Sequence, residues 1–320
     1  MGGAELIMTQ HADKVYSLAR KSSQAASSPV AASWLRCMNV HKLSPDQNLS
    51  PARLTDQEFR DASERSRVMV EEARDELDRL FMMAGRSGHS LLLTDGNGVV
   101  VDRRGTAGDE KDFRGVGLWS GTLWSEASVG TNGIGTALAD QRAATVSRDQ
   151  HFLSSNTGLS CTAVPIRDHT ARISGVLDFS TCRDDANELT MTILSHAVRD
   201  AALRIEGNLF RRAFPMARIV MVGSGYGALL AVDHDDIVLG ATRGARQTLG
   251  LDDHRLAAGI PATDLLNESE PTGSADLLEA ERAALRRAIS RNGGNMSRTA
   301  EALGISRATL HRKVKRMNIS

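Results

Sequence analysis

Apolar and small residues recur at Phe59, Ala62, Ser66, Met69, Ala73, Leu77 and Leu80, in steps of three and four that draw one buried stripe along a helix predicted from Thr55 to Met83. A helix of that length either covers a sheet or meets its twin in a dimer. Leu189, Ile193, Ala197, Ala201, Ile205 and Leu209 suggest a second long helix, from Asn187 to about Phe210. Between the two the period changes. His89–Thr94 and Val99–Asp102 flank the turn sequence Asp95-Gly96-Asn97-Gly98, an order that predicts a β-hairpin. Ala144–Ser147, Cys161–Arg167 and Ile173–Ser180 read as further strands. A sheet with helices at both ends of the segment is an α+β arrangement. Short helices are expected around Val15–Ala19 and Trp34–Met38, broken by Ser22–Pro29 and by Ser44-Pro45.

Past the second long helix, Ile219–Val222, Ala228–Val232 and Ile237–Leu239 are strand-like, with a turn at Asp233-His234-Asp235-Asp236 and a helix from Thr242 to Leu249. Asn267–Ser274 has the Glu, Ser, Pro and Gly content of a linker. Leu278, Leu285, Ala288 and Ile289 then stripe one helix, which Asn292-Gly293-Gly294 ends. A second helix from about Met296 carries Met296, Ala300 and Leu303 on one face and stops at Gly304. A third starts with Ser306 as N-cap and buries Leu310, Val314 and Met317. Small Ala300 lets two helices cross closely, and Gly304 suits a left-handed turn, so the pair reads as a helix-turn-helix.

Composition bounds these readings. At about 100–200 residues per domain, 320 residues suggest two or three domains, and 41% hydrophobic content is too high for a mainly disordered chain. No apolar run approaches the roughly 20 residues needed to span a bilayer, and the N-terminal segment lacks a basic stretch followed by an apolar one, so neither a membrane partner nor a secretory signal is expected. Cys37, Cys161 and Cys182 are odd in number and widely spaced, which indicates no disulfide framework and no zinc knuckle. A reducing, cytoplasmic setting follows. Charge changes the picture most. The 39 basic and 39 acidic residues cancel, yet residues 291–320 hold seven Lys/Arg against one acid, Glu301.

The third helix of that basic end offers Arg307, Thr309, Arg312 and Lys313 away from its apolar face, suited to base edges in the major groove and to flanking phosphates. The plainer reading is a solvated basic helix, but apolar spacing, turn glycine, N-cap and charged face coincide. The string GGNMSRTAEALGISRATLHRKVKRMNI (293–319) resembles the Fis-type helix-turn-helix that closes many bacterial enhancer-binding transcription regulators. The resemblance implies DNA contacts from Asn295, Ser297, Arg298, Ser306, Arg307, Thr309, Arg312, Lys313 and Lys315, and dimerisation through the helix from Leu277 to Arg291. His311 stands where many members have tyrosine.

Four further segments belong together: GLWSGTLWSEASVGTNGIGTAL (117–138), RDQHF (148–152), SCTAVPI (160–166) and GVLDFS (175–180). Alone, GTNGIGTAL is Gly-spaced as a nucleotide loop is, though its glycines equally permit a tight loop before a helix capped by Thr131 or Asn132. As a set the segments resemble the GAF domain of the acetoin/glycerol-metabolism regulators, which typically also carry an N-terminal segment like SWLRC (33–37) followed by LSPD (43–46). That resemblance implies a small-molecule pocket between the sheet and its covering loops, with Trp119, Trp124, Glu126, Asn132, His151 and Cys161 as candidate lining. The implied effector is a small organic molecule such as a diol, ketone or alcohol. Each residue has a plainer alternative. The tryptophans serve equally as core anchors, His151 as a hydrogen-bonded structural histidine, and Cys161 as a small hydrophobe. No metal and no cofactor are expected. Residues 226–266, with YGALLAVDHDDIVLGATRGARQTLGL, resemble the first half of a PAS domain, for which a spacer or dimer-contact role is preferred over haem or flavin sensing.

Relatives of this kind usually carry an AAA+ ATPase with a G-x-x-x-x-G-K-[ST] P-loop between sensor and helix-turn-helix. None of the six lysines here follows a glycine, and the stretch from Gly207 to Ala275 is too short for such a module. The expected fold class is α+β: an N-terminal helical segment (1–54), a GAF-like domain with flanking long helices (55–214), a truncated PAS-like α+β segment (217–266), a linker (267–274) and an all-α Fis-type helix-turn-helix (275–320). The expected function is a one-component regulator whose homodimer reads an inverted repeat in double-stranded DNA, with RNA polymerase as a further partner. Two alternatives stay open: an interaction protein that works with a separate ATPase, and an enzyme using Glu126, His151 and Asp178, which sit in no recognised catalytic spacing.

Overall fold

Helices α1 (Gly3–Ala19) and α2 (Pro29–Asn39) are both longer than the apolar spacing indicated. Ser28, in extended backbone, caps α2 by accepting from Ala31 N–H, and Pro29 takes the first helical position, where no donor is needed. The computed structural model describes residues 3–19, 28–84, 88–183, 188–223, 227–267, 281, 282, 284, 285, 288, 289, 292–317 and 319. The break read at Ser22–Pro29 lies outside the described residues up to position 27. The linker read at Asn267–Ser274 lies outside them from position 268. Met1–Ala262 forms one compact unit and Thr263–Ser320 a second.

In the first unit β1 (Ala52–Arg53) leads into α3 (Asp56–Ala84), whose start is fixed by reciprocal capping. Thr55 Oγ1 accepts from Glu58 N–H while Glu58 Oε2 accepts from Thr55 N–H. Then come β2 (His89–Asp95), β3 (Val100–Gly105), α4 (Glu110–Gly115), β4 (Thr122–Leu123), α5 (Glu126–Val129), α6 (Gly133–Asp140), β5 (Ala144–Ser147), β6 (Ser160–Arg167), β7 (Ile173–Thr181) and α7 (Glu188–Ala213). Five strands form one antiparallel sheet in the order β3-β2-β7-β6-β5. The hairpin between β2 and β3 turns as the sequence indicates. Asp95 Oδ1 accepts from the N–H groups of Asn97 and Val99, and Gly98 takes φ +90°.

The two faces of this sheet have different covers. Leu91, Leu93, Val164, Ile166, Leu177 and Phe179 pack under α3 and α7, together with Met69, Ala73, Leu77 and Leu80. The alternate residues Leu92, Cys161, Ala163 and Val176 pack under Trp34, Cys37, Trp124, Val129, Ile134, Phe152 and Leu153. Each fully buried Leu or Phe contributes roughly 1.5–3 kcal/mol. The α3 stripe is buried at Ala62, Ser66, Met69, Ala73, Leu77 and Leu80. The α7 stripe is corrected: Leu189 and Ile193 are 69% and 60% exposed, while Met191, Leu194 and Val198 are buried. A uniform step of four residues advances about 40° each time and walks about 200° around a helix over five steps. The alternating set Met191, Leu194, Val198, Ala201, Ile205 stays on one face.

β8 (Arg218–Met221), β9 (Leu229–Val232) and β10 (Val238–Ala241) form a separate antiparallel sheet in the order β10-β9-β8. Asp233 Oδ1 closes its second turn by accepting from Asp235 and Ile237 N–H. α8 (Arg243–Leu249), capped by Thr242, is followed by α9 (Asp253–Ala257) and α10 (Ala262–Asn267). In the second unit, the helices Met296–Ala302 and Arg307–Arg316 enclose Leu285, Ala300, Leu310 and Met317. The dimerisation helix read from Leu277 to Arg291 lies largely outside the described residues. Positions 281, 282, 284, 285, 288 and 289 are helical.

Candidate functional site

The turn of the helix-turn-helix is set by few atoms. Asn295 Oδ1 accepts from Ser297 and Arg298 N–H, capping the first helix, and Ser306 Oγ accepts from Thr309 N–H, capping the second. Between them Gly304 takes φ +63°, and Ile305 N–H donates to Ala300 O at 3.0 Å. Leu310 anchors the second helix in the core, so helical geometry turns Ala308, His311, Arg312 and Lys315 to the opposite side. Asn295, Ser297, Arg298, Ser306, Arg307, Arg312 and Lys315 are exposed, and Thr309 is half-buried. Lys313 differs. Its ammonium is paired with Glu281, which also takes Arg316 Nη2 at 2.9 Å. Thr309, Arg312, Lys313 and Arg316 line a shallow groove of about 300 Å³. Arg316 is thus a candidate contact beyond those read from the sequence, found by its position one turn past Arg312.

In the first unit, five of the six candidate pocket residues lie on the loop-covered face of the large sheet. Glu126 is buried and receives a bidentate fork from Arg36, with Nε to Oε2 at 2.9 Å and Nη2 to Oε1 at 2.8 Å; Ser33 Oγ donates to Oε1 at 2.5 Å. Arg36 also reaches Asp140 at 2.9 Å, and these carboxylates hold its guanidinium above its ordinary value, Glu126 most strongly. Arg36 and Ser33 belong to the SWLRC segment, so that string ties α2 to α5. Thr131 Oγ1, 2.7 Å from Ser33 Oγ, links this pair to Asn132, which caps α6 through Gly135 N–H.

Beneath α6 lies a second polar group. Ser180 donates to Asp178 Oδ2 at 2.6 Å and its Oγ stands 3.1 Å from Cys161 Sγ, which is 3.6 Å from His151 Nε2. Asp178 Oδ1 is buried without a hydrogen-bond partner among the described residues. A Cβ on Gly133 would stand 2.8 Å from Cys161 Cβ and 2.9 Å from Asp178 Oδ1, so only glycine lets α6 start here. Burial pushes the Asp178 carboxyl up to about 7 and lowers the His151 imidazole to about 4. Burial likewise raises the Cys161 thiol, with the Asp178 charge adding to it. His151 Nδ1 lies 3.0 Å from Arg148 O, which makes Nδ1 the donor and leaves Nε2 an acceptor toward Cys161. Between about pH 4 and 7 the group is therefore uncharged. Asp178 and Ser180 complete this cluster with the candidates His151 and Cys161, and the signal for them was the alternation along β7.

The tryptophans part ways. Trp124 is buried, with its indole N–H donated to Gly117 O at 3.0 Å. Trp119 is half-buried outside the cluster, its ring sandwiched between Arg103 and Arg114, whose Cζ atoms stand 3.9 and 4.0 Å from the centroid. Asp233, His234 and Asp235 bring three ligand-capable atoms within 4.8 Å at a turn, remote in sequence from every candidate above.

Residues 9–206 match the family described as "MimR, N-terminal domain". The chain belongs to this family. The match runs from inside α1 to inside α7, so it contains the Glu126–Arg36 and Asp178–Cys161 groups, and it ends before the three-stranded sheet. Residues 277–317 match a second description, "Bacterial regulatory protein, Fis family", which covers the helix-turn-helix. Among curated relatives, the acetoin catabolism regulatory protein of Cupriavidus necator is 34% identical over 181 residues, 57% of this chain and 27% of that protein. The propane 2-monooxygenase operon transcriptional activator MimR of Mycolicibacterium smegmatis is 31% identical over 216 residues, 63% of this chain and 35% of that protein. The matches thus span about a third or less of these relatives. The crystal structure of the E. coli DhaR(N)–DhaL complex holds a chain of the same fold as this one at TM-score 0.51 and 18% identity, covering 70% of this chain and 76% of that one. The GAF-like architecture expected of the sensor is the one found. Among the described residues no helix is long and apolar enough to cross a membrane.

Proposed function

We propose that the chain is a DNA-binding transcriptional regulator whose loop-covered sheet face senses a small organic effector and whose Fis-type helix-turn-helix acts as a homodimer on an inverted repeat, without ATP hydrolysis. The observation that carries it is the exposed, capped basic helix Arg307–Arg316 behind a Gly304 turn. The curated relatives are named regulators and activators, which supports a regulatory rather than an enzymatic role. Asn295, Ser297, Arg298, Ser306, Arg307, Thr309, Arg312 and Lys315 contact DNA, with Lys313 available once Glu281 releases it. The domain boundaries and RNA polymerase as a further partner belong to the same reading.

For the effector, the chemistry of the Asp178, Ser180, Cys161 and His151 group favours a neutral molecule with a hydroxyl or carbonyl. A neutral imidazole, a thiol and a carboxyl with one free oxygen offer hydrogen bonds and no net charge. A small alcohol, diol or ketone meets that description. Trp124, Glu126 and Asn132 then act from the wall, and Trp119 from the rim.

A second reading makes the first unit a docking module for a separate protein such as an ATPase. It is favoured by a chain of the same fold that was crystallised in complex with DhaL. Mobility shift at physiological salt distinguishes the two. The regulator reading expects preference for a site upstream of its own gene over random DNA, and Arg307→Ala is expected to weaken that specific binding by about 1–3 kcal/mol. Equal binding to random DNA would sink it.

A further inference from the structure

A cleft of about 670 Å³ opens where the end of β6, the turn after α6, the middle of α7 and the start of α8 come together. Its charge is unlike that of the sensor face. Arg142, Arg167 and Arg243 line it against one carboxyl, Glu206, with Gln141, Gln247 and Thr248 adding neutral donors and acceptors. Val164, Pro165, Leu203, Val222 and Ala228 supply an apolar side.

Arg167 is the centre of the arrangement. The residue is 8% exposed, and among the described residues its guanidinium donates to main-chain oxygens, Ala171 O at 3.1 Å and Gln141 O at 2.8 Å. Glu206 does not neutralise it directly: Oε1 accepts from the Arg167 main-chain N–H at 2.7 Å. Arg243 Nη1 reaches the same Gln141 oxygen at 3.3 Å, so two guanidinium groups converge on one neutral acceptor. Gln141 itself holds φ +53°, the left-handed conformation that ends α6. A guanidinium has five N–H donors in a fixed fork, and neither Arg167 nor Arg243 forms an ion pair among the described residues. Desolvation and then the neighbouring Arg243 depress Arg167, with Glu206 acting the other way, and burial raises Glu206 to about 7 against the opposing pull of Arg167 and Arg243. A buried cation is normally paired or bound to a counter-charge.

We propose that this cleft binds a small oxyanion, the phosphate or carboxylate head of an organic molecule, between Arg167 and Arg243. The fork geometry suits two-point contact with such a head, and the apolar side accepts a short carbon body. Arg167 ends a strand of the five-stranded sheet, whereas Arg243 begins the helix that follows the three-stranded sheet. The bound anion therefore ties the two sheets of the first unit together, at a place separate from the Asp178 group.

The test is calorimetric titration of the full chain at pH 7 with inorganic phosphate and, in a second arm, acetate, at ionic strength matched with chloride. Arg243→Gln changes an exposed side chain and Arg312→Gln removes a cation of the recognition helix. Saturable one-to-one binding, weakened at least tenfold by Arg243→Gln and unchanged by Arg312→Gln, is the expected result; the arm that binds tells phosphate from carboxylate. Arg167→Lys keeps the charge, removes the fork and is expected to weaken binding as well, with unchanged far-ultraviolet dichroism reporting that it folds. Heat that matches the chloride blank in both arms overturns the site. So does binding lost with Arg312→Gln and retained with Arg243→Gln.

Discussion

At the scale of single residues, the buried titrating groups make the molecule's stability depend on pH in a direction that can be worked out. In an unfolded chain Asp178 and Glu206 titrate near 4 and His151 near 6.5. Folded, the carboxyls move up to about 7 and the imidazole down to about 4. Between about pH 4.5 and 6.5 the folded state keeps two carboxyl protons that the unfolded chain has released, and lacks one imidazole proton that the unfolded chain holds. It therefore binds about one proton more, and stability falls as pH rises by about 1.4 kcal/mol per unit. From 6.5 to 7 the imidazole no longer offsets the carboxyls and the fall steepens; above 7 it stops. Asp178→Asn removes one carboxyl from this balance. Thermal unfolding of that variant is expected to be nearly flat from pH 4.5 to 6.5, and a slope equal to the parent's would show that Asp178 is not the group involved. This group was only half visible in the sequence. Gly133 read as loop freedom, whereas the backbone approach to Cys161 and Asp178 is what demands it, and such an approach exists only once β6, β7 and α6 are assembled.

At the scale of elements, legibility followed the regularity of the period. The α3 stripe mixes steps of three and four and is buried as read from Ala62 to Leu80, with Phe59 half-buried; the α7 stripe ran in uniform fours, so its start at Leu189 and Ile193 lies off the face that buries Ala201, Ile205 and Leu209. Capped starts were legible for the same local reason: Ser306, read as an N-cap, and Asn132, read with Thr131 as one of two candidates, each accept from an N–H three residues on. The two-residue pair of β1 with β4 was not, because Ala52 and Leu123 are partners across a long stretch of chain and carry no periodic signal. The energetics separate the buried stripe of α3 from the exposed start of the α7 stripe. Leu77→Ala in α3, fully buried against the sheet, is expected to cost about 2–5 kcal/mol, while Leu189→Ser on the exposed side of α7 should stay within about 0.5 kcal/mol. Urea unfolding of the two variants measures both. A large loss from Leu189→Ser would mean that the exposed stripe is covered by something else, such as a second copy of the chain.

At the scale of the whole molecule, zero net charge conceals a basic end, and salt dependence is where that division becomes measurable. Each phosphate neutralised by a side chain contributes a slope of about −0.9 to the fall of log affinity with log salt. Arg298, Arg307, Arg312 and Lys315 are exposed and not held by a carboxylate among the described residues, whereas Lys313 and Arg316 share Glu281. A screened or internally paired cation releases fewer counterions on binding, so these two add less than their number suggests. Lys315→Gln is expected to lower the slope by about one with little change in sequence preference. Lys313→Gln should lower it by less. Glu281→Gln removes the internal partner and frees both cations, so it is expected to steepen the slope and strengthen binding to random DNA. Mobility shifts from low to physiological salt read all three. If Glu281→Gln leaves the slope unchanged, then Glu281 does not withhold Lys313 and Arg316 from the phosphates, and the groove they line with Thr309 and Arg312 is engaged with its ion pairs intact.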